Sequence, residues 1–561
     1  MKRNRIVIVG GALAGPTAAA RAREVDENAH ITLLERAPNV SYAIGGLAYH
    51  LSGEVKELAA LDQERASFFK DNYDVEVHTG VEGQAIDVRG RKLEATTPEG
   101  TRTFAWDALV VSTGAESIIP DVEGLAGAAN VVPFRNLVHL RTIVRELQRG
   151  KRVVVVGGGH FGVEAADGLS RRGAQVVLLE RGARVLSSFA PGASHAAREG
   201  LEALGVDVRT GHTITGVTRK GARVSAVETS GGPIPCDVVV LAVGVKPRSG
   251  LLARAGARVL ENGAVRIDAR CATSLPGVFA CGSCVAVRHA VSDDAIWLPQ
   301  ASIVDKTAQV AGAAAAGRDV ELGPVLGTMI VRSGRAVVAR TGLPQDGLAR
   351  AEITRVHPLS KDAFFPGAAP LSIEIAHDPR DGALLAADVW GTDGVDKRVD
   401  VLATAIAGGL RIDDIARLDL AYEPAFNTAR DPINAAGSVA LESAREPGLA
   451  WSADEIHKRS QVVLVDVRSA TERTSSGGIA NARRFSLAEV RTATAELAKA
   501  EGPIVFVSSD GRAGFLAARL ARARGIRDAG FLSGGLRSWV ASGHPVEKTA
   551  KKKTANKKRK K

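Results

Sequence analysis

The chain has 561 residues, enough for three to four domains at about 150 residues each. It is 45% hydrophobic, 24% charged and 4% aromatic, which excludes a disordered chain, and its four cysteines exclude a disulfide scaffold. Of the net charge of +11, nine positive charges lie in the acid-free stretch 548–561, leaving +2 for the rest. The basic balance therefore belongs to a tail and not to a nucleic-acid-binding face.

Met1 to Arg5 runs directly into Ile6-Val7-Ile8-Val9, too short a lead for a signal peptide. No apolar run reaches about 18 residues, so the expectation is a cytoplasmic protein without a membrane span. Ile6–Val9 reads as a buried parallel strand. It runs into the turn Gly10-Gly11-Ala12-Leu13-Ala14-Gly15 and an Ala-rich helix. A second strand, Ile31–Leu34, then ends in Glu35, with Arg36 beside it. Leu109–Ser112 is a further strand that feeds Thr113-Gly114.

The pattern then repeats. Val153–Val156 leads into Gly157-Gly158-Gly159-His160-Phe161-Gly162-Val163-Glu164, and Val176–Leu179 ends in Glu180. In such a unit the first Gly permits the turn, the second lets a pyrophosphate approach, and the third lets helix and strand pack. The helix N-terminus offers N–H groups to phosphate, and the terminal carboxylate accepts ribose hydroxyls. The first turn has Ala12 at its middle Gly position, and the second matches fully. Two dinucleotide sites are expected. Glu180 favours NADH, whereas Arg181 leaves NADPH open. His160 reads as a loop residue beside the nucleotide, and Glu164 as a cap or a nicotinamide contact.

Val238–Val243 ends at Gly244, and Val278–Ala280 ends at Cys281-Gly282-Ser283-Cys284. In this order the chain resembles the FAD- and NAD(P)H-dependent pyridine nucleotide–disulfide oxidoreductases. Ser41–Tyr49, Trp297-Leu298-Pro299, Phe365-Pro366-Gly367, Gly394–Arg398 and Ala429–Asn434 narrow the likeness to coenzyme A-disulfide and persulfide reductases. Past residue 446, Val463–Arg468, Ile504–Val507, the loop 508–513 and Leu532–Trp539 resemble a rhodanese-like domain.

The resemblance implies an α/β fold with two Rossmann-like domains, an α+β dimerisation domain and a rhodanese-like α/β domain. The implied FAD-binding domain is discontinuous (1–118 and 246–322) around an NAD(P)-binding domain (119–245). A dimerisation domain (323–445), a rhodanese-like domain (450–546) and a basic tail (547–561) follow. FAD would meet Gly10, Gly11, Ala12, Gly15, Glu35, Arg36, Thr113, Gly114, Gly282 and Ser283. NAD(P)H would meet Gly157, Gly159, Gly162, Glu164, Glu180 and Gly244. A homodimer is implied, no metal is expected, and nucleic acid could be met only through the tail.

The chain departs from these relatives where sulfur is handled. Their flavin-side Cys falls on Gly45, two tyrosine positions fall at Phe364-Phe365 and on Phe426, and the rhodanese Cys falls on Ser508. Glycine has no nucleophile, and only a thiolate both attacks disulfides and exchanges electrons with flavin. The reading is therefore an FAD-dependent NAD(P)H oxidoreductase that passes electrons to a small acceptor. A binding scaffold that has lost catalysis is one alternative. Another is a disulfide reductase built on Cys281 and Cys284, whose place at a helix start would lower the thiol pKa values. Arg21 and Arg23 are candidates for a coenzyme A phosphate. The loop after Ser508 could hold an anion, or Asp510 could cap its helix instead.

Overall fold

The computed structural model describes residues 4–62 and 65–547. Apart from Glu547, the basic tail lies outside the described residues. The chain divides into two compact units.

The first unit comprises residues 1–186 and 198–327. It holds two five-stranded sheets, each with a Gly-rich turn leaving its central strand. In one, the order is Val278–Ala280, Ala108–Val111, Arg5–Val9, His30–Glu35 and Val75–Thr79, all parallel. In the other it is Asp207–Thr210, Gln175–Glu180, Arg152–Val156, Val238–Leu241 and Val131–Pro133, again parallel. Strands covered on both faces need continuous apolar runs, and Ile6, Ile8, Leu33, Val110, Val155 and Val240 are fully buried. Three-stranded antiparallel sheets formed by 82–105 and 214–235 flank them. Both Gly-rich turns thus lie at the C-terminal ends of central strands, where open α/β sheets bind their ligands.

The second unit comprises residues 187–197 and 328–561. Its first sheet is antiparallel, in the order Met329–Ser333, Ala336–Gly342, Leu384–Gly391, Leu371–His377 and Glu352–Val356. The helix Val395–Ala407 packs on it with Val395, Val399, Leu402 and Ile406 buried, the spacing of one helix face. A parallel sheet follows: Ala450–Trp451, Ala529–Leu532, Ile504–Val507, Val463–Asp466 and Arg483–Arg484. Three of its helices begin with the same reciprocal cap, Ser452 with Glu455, Ser469 with Glu472 and Ser486 with Glu489. The helix Arg512–Ala523 is tied to the helix Pro432–Arg445 by ion pairs from Arg519 and Arg522 to Glu442 and Glu446.

No helix among the described residues is long and apolar enough to cross a membrane. The described residues hold no cluster of His, Cys, Asp or Glu suited to a metal ion.

Candidate active site

The two Gly-rich turns have nearly the same geometry. Gly10 and Gly157 take φ of +109° and +107°, a region that L side chains rarely adopt. A Cβ on Gly15 would lie 1.8 Å from the Gly10 carbonyl oxygen, and one on Gly162 would lie 1.8 Å from that of Gly157. These four glycines are steric necessities. The middle position differs. A Cβ on Gly159 would meet nothing within 4 Å, so a methyl such as that of Ala12 is tolerated at this position of the turn but fills space that Gly159 leaves open.

The acids at the ends of the second strands close each turn. Glu35 Oε2 accepts from the Gly11 N–H and Oε1 from the Ala37 N–H. Glu180 Oε2 accepts from the Gly158 N–H and Oε1 from the Gly182 N–H, both at 2.6 Å. Each carboxylate is thereby fixed with lone pairs left for ribose hydroxyls. The helices Ala14–Val25 and His160–Arg171 start without a side-chain cap, so their first N–H groups are not taken by one.

Around the first turn, Ser112 Oγ donates to Val9 O at 2.9 Å, and Thr113 Oγ1 donates to Arg248 O. Gly114 takes φ +70° and Gly244 φ +106°. The Gly282 N–H donates to Thr307 Oγ1 at 3.0 Å, and Trp297 Nε1 donates to Ser283 O at 3.0 Å. Ser283 is among the buried residues at 9% exposure, and its side chain makes no hydrogen bond to the described residues. A turn that a Cβ would block, a fixed acid and an unpartnered serine on the facing loop together fit FAD. Gly10, Gly11, Gly15, Glu35, Gly282 and Ser283 would hold it.

Arg36, expected to meet FAD, is joined here by two cations that the sequence reading missed, Arg135 and Arg248. Arg36, Arg135 and Arg248 act electrostatically on Tyr42, whose pKa is raised by burial and by Glu35 against their opposition. Burial lowers the pKa values of Arg135 and Arg248. Arg36 pairs with Glu82 at 3.3 Å and Arg248 with Glu116 at 3.5 Å. Arg135 lies 5.8 Å over the Phe161 ring. Arg135 and Arg248 each follow the end of a short strand, the signal that could have marked them as pocket residues.

At the second turn His160 is the first residue of its helix, not a loop residue. Its Nε2 lies 3.0 Å from Glu164 Oε1, and its ring stacks on Phe161. Gly45 lies exposed in a single turn, Ile44–Gly46, and a Cβ there would meet nothing within 4 Å.

Two expectations need correction. Cys281 and Cys284 were expected at a helix start that lowers thiol pKa values. The helix is one 3-10 turn, Gly282–Cys284, and both thiols are fully buried, so burial raises both. Arg23 does not offer its guanidinium to a ligand. It is buried and donates to the carbonyls of Tyr73, Asp26, Glu27 and Asp74. Arg21 pairs with Glu24 at 2.7 Å.

In the C-terminal sheet, Ser508 is buried, and its Oγ accepts from the Gly511 N–H at 3.0 Å. Asp510 Oδ1 accepts from the Arg512 N–H at 3.0 Å. Gly511 is the N-cap and offers no side chain, but Asp510 takes the first helical N–H, so two N–H groups that an anion would need are already engaged.

Two fixed acids at two Gly-rich turns define an α/β protein that binds two dinucleotides. Residues 4–316 match the pyridine nucleotide-disulphide oxidoreductase family, and residues 449–542 match the rhodanese-like domain. The chain belongs to that oxidoreductase family, whose members are FAD-dependent NAD(P)H oxidoreductases, and carries a C-terminal rhodanese-like domain. It is 28% identical over 438 residues to an NAD(P)H coenzyme A polysulfide/persulfide reductase of Pyrococcus horikoshii, covering 77% of this chain and 97% of that one. It is 26% identical over 446 residues to an NADH oxidase of Methanocaldococcus jannaschii, covering 78% and 99%. The reduced Bacillus anthracis CoADR-RHD structure superposes with a TM-score of 0.92 at 26% identity, covering 98% of this chain and 100% of that chain.

Proposed function

We propose that this chain oxidises NAD(P)H and passes the electrons to a small oxidant, a quinone or dioxygen, without a protein thiol. Bound FAD supplies the step common to the family, accepting hydride from the nicotinamide and releasing two electrons. NAD(P)H gives up a hydride, the acceptor gains two electrons, and two protons complete its reduction, one of them drawn from water. The chain contributes binding and orientation. Glu35 and Glu180 fix the two riboses, the two Gly-rich turns hold the pyrophosphates, and Arg36, Arg135 and Arg248 supply positive charge beside the first.

Gly45 carries the reading. At the position where coenzyme A-disulfide reductases keep their nucleophile this chain has no side chain, and nothing approaches within 4 Å of where a Cβ would stand. Cys281 and Cys284 do not replace it, since burial disfavours their thiolates. A serine at position 508 cannot carry a transferable sulfur, so the rhodanese-like domain is read as a non-transferring part. The test is NADH-dependent turnover of the full-length protein with oxygen, a soluble quinone and coenzyme A disulfide in parallel. Turnover with oxygen or quinone alone supports the reading, and turnover with the disulfide refutes it.

We also propose a homodimer. The loops 361–367 and 421–427 meet through Tyr422 OH, which donates to Asp362 Oδ2 at 2.7 Å. They expose Phe364 (76%), Phe426 (71%) and Tyr422 (51%) together. Such an aromatic patch favours burial against a partner. Sedimentation of the wild type against Phe364→Asp/Phe426→Asp tests it. A dimer that becomes a monomer supports the reading, and a wild-type monomer refutes it.

A further inference from the structure

A cavity of about 270 Å³ lies in the first unit between the helices Leu47–Ser52 and Leu137–Glu146, with no residue of either Gly-rich turn in its lining. Its lining is divided by chemistry. Leu58, Leu140 and Val144 supply apolar surface, and Arg141 and Arg145 stand one helical turn apart on its rim. Like charges at that spacing repel each other, and no acidic side chain lines the space among the described residues. Arg141 makes no ion pair or hydrogen bond through its side chain among the described residues. Arg145 reaches only Glu146, at 3.6 Å, and that carboxylate is shared with Arg149 at 3.3 Å and Arg223 at 2.7 Å. The rim therefore carries positive charge without a matching acid, above an apolar floor.

We propose that this cavity binds a small amphiphilic carboxylate, its charge between Arg141 and Arg145 and its hydrocarbon against Leu58, Leu140 and Val144. At about 30 Å³ per water the space equals roughly nine waters, the size of a carboxylic acid of five to seven carbons. An inorganic phosphate would leave the apolar floor unfilled, and a neutral alcohol would leave both arginines without an anion. His50 joins the lining from the short helix that begins two residues after Gly45, and Arg172 donates to its carbonyl oxygen at 2.9 Å. An occupant would therefore touch the helix that continues the turn bearing Gly45.

Calorimetric titration of the full-length protein with hexanoate, 1-hexanol and inorganic phosphate tests this without any redox turnover. Its outcome is thus separate from that of the proposed reaction. Saturable hexanoate binding is expected, with hexanol and phosphate at least tenfold weaker. Arg141→Gln/Arg145→Gln should weaken hexanoate at least tenfold. Val144→Phe, which fills the space and keeps both arginines, should abolish binding, with an unchanged thermal transition showing that each variant is folded. No saturable hexanoate binding, equal binding of hexanol or phosphate, or undiminished binding in both folded variants would overturn the proposal.

Discussion

Glu180 accepts the Gly158 N–H at 2.6 Å, and this contact holds a carboxylate where the second nucleotide's ribose would lie. A fixed anion there accepts ribose hydroxyls and repels a 2′-phosphate. Arg181 and Arg184 flank it without an ion pair among the described residues. Glu180→Ala should therefore lower kcat/KM for NADH by about tenfold to a hundredfold, the loss of a charged hydrogen bond. The same change should raise the NADPH-to-NADH ratio. Steady-state kinetics with both nucleotides check this, and an unchanged ratio would contradict it.

Ala12 and Gly15 give opposite results from changes of one methyl. Gly15→Ala places a carbon 1.8 Å from the Gly10 carbonyl oxygen and should yield a protein purified with little flavin. Ala12→Gly removes a methyl from the space that Gly159 leaves open in the other turn, and should keep or tighten flavin binding. Flavin absorbance per chain after purification measures both.

Gly45→Cys tests the missing thiol by restoring it. The new Cβ would meet nothing within 4 Å, so the variant should fold with its thermal transition within a degree or two of wild type. Coenzyme A disulfide-dependent NADH oxidation should appear in this variant and stay at background in Gly45→Ser. Disulfide turnover by the serine variant would show that the thiol is not what the wild type lacks.

The pH dependence of stability should show the buried Asp388. Burial, assisted by Glu374 and opposed by Arg340 and by the Ala190 N–H, raises its pKa to about 7. Between the ordinary carboxylate range and pH 7 the folded state binds more protons than the unfolded one. Stability from this group is therefore full on the acid side and falls as pH rises through about 7. Asp388→Asn, which keeps an acceptor for the Ala190 N–H, should flatten that part of the profile and gain about 2–4 kcal/mol over wild type at pH 8. Urea melts from pH 4 to pH 8 test this. A wild type whose stability rises with pH relative to the variant would contradict it.

The glycine turns and terminal acids were legible because their signals are local. One strand, one turn and one helix carry each, and Gly10, Gly15, Glu35 and their counterparts lie within one βαβ unit. Of the cations that act on Tyr42, Arg36 was legible beside Glu35, but Arg135 and Arg248 were not, since each follows a strand of a different sheet and comes near Tyr42 only in the folded chain. Cys281–Cys284 misled for another reason. Spacing cannot show whether a helix start is a single 3-10 turn sealed from water, and burial outweighs any helix dipole there. The Ser-x-x-Glu caps at 452, 469 and 486 are equally local but were passed over in the sequence; they mark three helix starts in the rhodanese-like domain.

Thiol-independent electron transfer can be followed by titrating the full-length protein anaerobically with NADH while recording flavin absorbance, then adding either air-saturated buffer or coenzyme A disulfide. Bleaching by about one equivalent of NADH, prompt recovery with oxygen and no recovery with the disulfide are expected. Rapid recovery with the disulfide, or a protein that binds no flavin, would contradict thiol-independent transfer.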